Sequence, residues 1–168
     1  MTAAETKNKK ALSENELAQR IAIVKRFREL LIRQRDRFRT YLTVLDKQNA
    51  IIDSGSADDL LAYVELEEHI VADIFSIQKV IDPLELMYRT KNDDGIDSDF
   101  NVNDVEAIKT TLENLKNQAE GQSRNNRELI SARMNGIRAE IRALRNNPFA
   151  MSSAYKTANT ASLIDIRG

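Results

Sequence analysis

Apolar residues recur at steps of four and three positions from Leu17 to Ile52, and few folds accommodate so long a run of one period. Eight of the eleven positions visited are apolar. A sustained 3.5-residue period predicts a long helix with a narrow apolar seam. Ser13 and Glu16 have the spacing of a capping box at its start, and Ser54-Gly55 would end it. Such a helix would be about 60 Å long at a rise of 1.5 Å per residue, which favours an elongated body.

A second amphipathic helix is predicted after Ser56, whose hydroxyl can cap it. Pro83 lies within its apolar stripe and lacks an N–H, so we expect a kink or a short restart there. Residues 91–103 are polar and are predicted to form a loop. The stripe consists of Tyr63, Leu66, Ile70, Ile74, Ile77, Ile81, Leu84 and Tyr88.

A third helix is predicted from about Asn103 to Asn146, where Asn147-Pro148 would stop it. Residues 117–128 are almost all polar and include Gly121, so the apolar seam fades in the middle. We interpret this segment as one continuous helix with a weakened centre. A break into two helices is the alternative.

These elements predict an all-α fold: an elongated antiparallel bundle or coiled coil of three long helices, near residues 13–53, 57–90 and 103–146. Residues 1–148 would form a single domain. Residues 149–168 are rich in Ala, Ser and Thr and cannot bury enough apolar surface to offset their ordering entropy. We therefore expect a flexible C-terminal tail.

The net charge of −1 is distributed in three blocks. Residues 1–57 carry +5, residues 58–104 carry −10, and residues 105–168 carry +4. This pattern predicts that the acidic second block draws the two basic blocks together, although exposed ion pairs contribute only about 0.2–1 kcal/mol each.

The composition leaves little room for catalysis. The chain has no Cys and one His, so thiolate metal sites and cysteine nucleophiles are excluded. His69 could share a helix face with Glu65 and Asp73, but no second His completes a metal site, and a solvated acidic face is the favoured interpretation. We predict a protein that is not an enzyme and needs no cofactor or metal.

Neither a membrane nor a nucleic acid is an expected partner. No apolar run is long enough to span a bilayer, and the polar N-terminus lacks the features of a signal peptide, so we expect a cytoplasmic protein. Arg33, Arg35, Arg37 and Arg39 could neutralise phosphates, but residues two apart point to opposing sides of a helix. The incomplete seams instead favour a protein that binds another helix.

Several segments of the chain share features with one family of bacterial proteins. They are Leu45, Gln48–Ile52, Ser54–Leu61, Tyr63–Glu67, Asn125–Ile130 and Tyr155–Gly168. In these segments the chain resembles the FlgN-type flagellar export chaperones. The resemblance covers most of the chain and centres on the first helical hairpin, with a second patch in the third helix and a similar short C-terminus.

The resemblance implies a cytoplasmic chaperone that binds hook-associated proteins of the flagellar hook–filament junction and delivers them to the export apparatus. We expect the client helix to complete an unfilled seam. The alternative is a structural or adaptor coiled-coil protein that associates with itself, and a homodimer is compatible with either. The predicted partner-binding residues are Ile137, Ile141, Leu144, Met151, Tyr155, Leu163 and Ile164.

Overall fold

The computed structural model describes residues 13–92 and 102–147, which form three long helices and, within those ranges, no strand. α1 spans Glu14–Ile51, α2 spans Ala57–Asn92 and α3 spans Val102–Asn146. These bounds lie within two residues of the predicted ones. With 45 residues, α3 is about 68 Å long. The predicted all-α, three-helix architecture is therefore confirmed.

α1 is the middle helix of the three. Phe27 contacts Tyr88, and Tyr41 contacts Glu67, so α2 runs antiparallel to α1. Arg28 pairs with Asp104 near the start of α3, and Asn126 binds Leu45 further along, so α3 runs parallel to α1. In the described ranges no Cα atom of α2 comes within 8 Å of one in α3. Ion pairs nevertheless link the acidic α2 to both basic helices, as the charge blocks predict: Asp73 pairs with Arg37 of α1 at 3.0 Å, and Glu85 pairs with Lys109 of α3 at 3.3 Å.

α1 buries residues against both of its neighbours. Phe27 contacts Tyr88 of α2, and the carbonyl oxygen of Leu45 accepts a hydrogen bond from Asn126 of α3. The predicted seam includes only some of the buried residues of α1. Leu17 and Ile21, at the start of that seam, are exposed rather than buried. The buried residues of α1 are Phe27, Leu30, Leu31, Gln34, Tyr41, Val44, Leu45 and Gln48.

α2 departs from its predicted stripe at one position. Leu66 is 46% exposed, whereas the neighbouring Glu67 is buried. A leucine on this face was expected to be buried, but the pairing of α2 with α1 places a carboxyl group there instead. α2 also continues through Pro83 without a restart, because a proline removes one backbone N–H and leaves the other helical hydrogen bonds in place.

α3 is a single helix through Gly121, so the alternative of two helices is wrong. The polar stretch that suggested a weakened centre packs by hydrogen bonding: Ser123 and Asn126 are buried in it. Asn126 Nδ2 donates to the carbonyl oxygen of Leu45 at 2.9 Å and to Oε1 of Gln48 at 2.8 Å. The seam is therefore continuous in space, although its chemistry changes from apolar to polar.

The turns at the helix starts follow the sequence. Ser13 and Glu16 form the predicted capping box, and Ser56 Oγ accepts a hydrogen bond from the backbone N–H of Asp59. Gly55 lies so close to the end of α1 that an added Cβ would stand 2.8 Å from the carbonyl oxygen of Ile51. A glycine is therefore required in this turn.

Candidate partner-binding surface

α3 extends past the C-terminal end of α1. The guanidinium group of Arg133 donates hydrogen bonds to the backbone carbonyl oxygens of Ile51, Ile52 and Gly55, at the end of α1 and in the turn that follows it. A cation suits this position because the helix dipole is negative there. Every described residue after Arg133, from Met134 to Asn147, is exposed. We call residues 134–146 the α3 extension.

The α3 extension carries an apolar stripe, which we define as Met134, Ile137, Ile141 and Leu144. Their exposed fractions are 49%, 45%, 50% and 59%, respectively. Steps of three and four residues place all four side chains on one face. Large apolar side chains grouped in this way on a surface commonly mark an interaction site.

The stripe prolongs the face with which α3 packs into the bundle. An α-helix returns to the same orientation after about 18 residues, or five turns. Ile137, Ile141 and Leu144 follow, by this interval, three residues that are all buried: Ala119, Ser123 and Asn126. The packing face of α3 therefore continues beyond α1, where no described element covers it.

Three predicted partner-binding residues, Ile137, Ile141 and Leu144, lie together on this stripe. Met134 belongs with them and was missed, although the 3.5-residue period already includes it. The other four predicted residues, Met151, Tyr155, Leu163 and Ile164, lie outside the described residues.

A cleft between α2 and α3 opens onto the stripe. Its apolar lining comes from Val64 and Val71 of α2 and from Ile130 and Met134 of α3. Gln48 of α1 also lines it, between the two flanking helices. Because Met134 belongs to both the cleft and the stripe, the two form one continuous surface.

A buried polar cluster, which we call the Glu67 network, joins all three helices beside this cleft. The carboxyl group of Glu67 accepts hydrogen bonds from Tyr41 Oη at 2.8 Å, Gln48 Nε2 at 3.2 Å and Ser123 Oγ at 3.2 Å. Burial is the largest cause that raises the pKa of Tyr41, to about 12. Asn126 completes the network through Gln48. Buried polar groups of this kind favour one register of the helices over others.

The other candidate sites have structural partners. His69 Nδ1 lies 2.9 Å from the carbonyl oxygen of Glu65, and no group of three metal-ligating side chains is placed to hold an ion in the described ranges. Arg35 and Arg39 both pair with Asp36, and Arg37 pairs with Asp73 of α2 at 3.0 Å. Within the described helices, no segment is long and apolar enough to cross a membrane.

The chain is 30% identical, over 130 residues, to a protein of Treponema pallidum (strain Nichols) described as an uncharacterized protein. The aligned region covers 77% of this chain and 80% of the Treponema protein. The two proteins belong to one family. No model of a known protein family matches the chain, and no solved structure matches it.

Two features of this family member were not predicted from its sequence: the exposed apolar residues of α2 and the contacts of Arg133. Leu61, Phe75 and Leu86 of α2 are 56%, 64% and 65% exposed. None of the three belongs to the predicted apolar stripe of α2, and this alone could have indicated that they lie on the outer face of the helix. No sequence pattern indicated the contacts of Arg133, because these contacts depend on where α1 ends relative to α3.

Proposed function

We propose that this protein is a cytoplasmic chaperone of the flagellar export system and that its α3 extension binds an amphipathic helix of a hook–filament junction protein. The observation that carries the proposal is the exposed apolar stripe, which prolongs the packing face of α3 beyond α1. The resemblance to FlgN-type chaperones supplies the class of client.

The energetics suit reversible binding. Complete burial of a large apolar side chain contributes about 1.5–3 kcal/mol, and the four stripe residues are only about half exposed, so covering each would contribute roughly 1 kcal/mol. Association also costs several kcal/mol in lost translational and rotational freedom. The four side chains together contribute about 4 kcal/mol, which this cost roughly cancels, so binding also depends on burial of the client's own apolar face in the same contact.

The test is binding of a purified hook–filament junction protein by isothermal titration calorimetry. We expect the triple variant Ile137→Gln, Ile141→Gln, Leu144→Gln to lose binding while its helical circular dichroism signal stays unchanged. The matched control is Leu61→Gln, Phe75→Gln, Leu86→Gln, which removes side chains from α2 that are at least as exposed. Equal binding by both triple variants would contradict the proposal.

Deletion of residues 149–168 tests the other half of the predicted surface. We expect the truncated chain to keep its helices and to bind the client more weakly, because Met151, Tyr155, Leu163 and Ile164 are removed. Unchanged affinity would exclude these residues from the contact surface.

The second candidate is a coiled-coil protein that associates with itself. It is favoured by the apolar side chains exposed on both α2 and α3, which copies of the chain could cover. Sedimentation equilibrium separates the two functions: a stable assembly larger than a dimer without a client supports self-association, and a monomer or dimer supports the chaperone.

A further inference from the structure

The charges beside the apolar stripe define the kind of helix that it accepts. Arg138, Arg142 and Arg145 are all exposed on the α3 extension. At 100° per residue their side chains project within about 60° of one another, along one edge of the stripe. Glu140 projects from the opposite edge and is the only acidic residue among residues 134–147.

These three arginines have no ion-pair partner among the described residues, as is also true of Arg33, Arg124 and Arg127. Arg28, Arg37 and Arg89 pair with Asp104, Asp73 and Glu85 at 2.5, 3.0 and 2.8 Å. Arg133, just before the extension, is bound to the carbonyl groups at the end of α1. By contrast, Arg138, Arg142 and Arg145 form no ion pair with any described residue.

We propose that the α3 extension recognises an amphipathic helix with acidic residues along one edge of its apolar face. The apolar stripe would supply contact area, and the arginine edge would select the sign of the partner's charge and its orientation. Charge complementarity of this kind contributes more to specificity and association rate than to affinity. This inference rests on the proposed function, because it describes the partner of the same surface.

Two synthetic peptides test the inference against the full chain. Both contain about 18 residues, five helical turns, with the same leucine stripe and blocked termini. One carries glutamates along one edge and the other carries lysines at the same positions. Binding is measured by fluorescence anisotropy at low and high salt.

We expect the glutamate peptide to bind about tenfold more tightly than the lysine peptide at low salt, as three exposed ion pairs would give. The difference should shrink at high salt because exposed charges are screened. The variant Arg138→Glu, Arg142→Glu, Arg145→Glu should reverse the preference. The control Lys25→Glu, Arg33→Glu, Lys47→Glu has the same net charge and changes only exposed residues of α1, so it should keep the original preference.

Equal affinity for both peptides, a preference for lysine, or no binding of either peptide would overturn the inference. So would reversal of the preference by the control variant. If a junction protein requires Ile137, Ile141 and Leu144 but binds the charge-reversed variant unchanged, the inference fails and the proposed function stands. If the junction protein does not require the stripe, the proposed function fails, while the peptide comparison still decides which helices the surface accepts.

Discussion

Tyr41 of α1 donates a hydrogen bond of 2.8 Å to the buried carboxyl group of Glu67 of α2. The same carboxyl group accepts a hydrogen bond from Ser123 of α3, although no described Cα atom of α2 lies within 8 Å of one in α3. Glu67 thus joins the two helices that flank α1. The hydrogen bond from Tyr41 stabilises the bundle because it satisfies a polar group that would otherwise be costly to bury.

Removing the hydroxyl groups of two buried tyrosines should have opposite effects. Tyr41→Phe deprives Glu67 of a donor and should lower the free energy of unfolding by about 1–2 kcal/mol. Tyr88 Oη is buried with no hydrogen-bond partner among the described residues, so Tyr88→Phe should be neutral or should raise that free energy by up to about 1 kcal/mol. Urea unfolding at pH 7 measures both. Equal losses would contradict the assigned role of the Tyr41 hydroxyl.

Alkaline pH should weaken the bundle through Tyr41. Its pKa is raised from 10.0 to about 12 in the folded chain, mainly by burial, so the folded state holds the phenol proton more tightly than the unfolded state. This contribution is fully present below pH 10 and is lost as the pH rises from about 10 to 12.

The measurement is urea unfolding of the wild type and of Tyr41→Phe across this range. The advantage of the wild type in the free energy of unfolding should fall by about 2 kcal/mol from pH 9 to pH 12 and so vanish or reverse, since one pKa unit corresponds to about 1.4 kcal/mol. The two proteins share every other ionisable group, so the effects of those groups cancel in this difference. A difference that is constant with pH would show that Tyr41 does not titrate as proposed.

Gly121→Ala should stabilise the protein. Gly121 lies inside α3, and a Cβ added there would meet nothing within 4 Å. Alanine in place of glycine should therefore raise the free energy of unfolding by about 1 kcal/mol through helix propensity alone. Gly55→Ala is the contrasting variant, because its Cβ would collide with Ile51, and it should lower the free energy of unfolding. A destabilised Gly121→Ala protein would indicate that α3 is not helical at that position.

The helices were predictable because each contains its own signals. The capping box at Ser13 is a local pattern, and its hydrogen bonds need no other helix. The choice between Leu66 and Glu67 for burial is different. Glu67 is tolerated in the interior because Tyr41, Gln48 and Ser123 supply donors, and these residues lie on two other helices. The spacing of apolar residues along one helix gives no information about hydrogen-bond donors on other helices.

The sequence predicted which residues form the candidate surface, but it did not predict that they lie beyond the end of α1. The period of three and four residues identified Ile137, Ile141 and Leu144 as members of an apolar face. Their exposure follows from the axial offset between α3 and α1, which the contact of Arg133 with the end of α1 reveals. Such an offset results from packing along the whole interface, so no short segment of the sequence specifies it.

Hydrogen exchange should reveal the same surface directly. The amides of residues 137–146 should exchange faster than those of residues 105–126, because the α3 extension has no helix packed on its apolar stripe while the earlier turns are buried against α1. Adding the client should slow exchange in residues 137–146. Residues 14–22 of α1 are an internal control, since they are also largely exposed but lie near the opposite end of the bundle. Equal protection of both segments on binding would indicate a general stabilisation of the bundle, whereas protection confined to the α3 extension would place the client on the stripe.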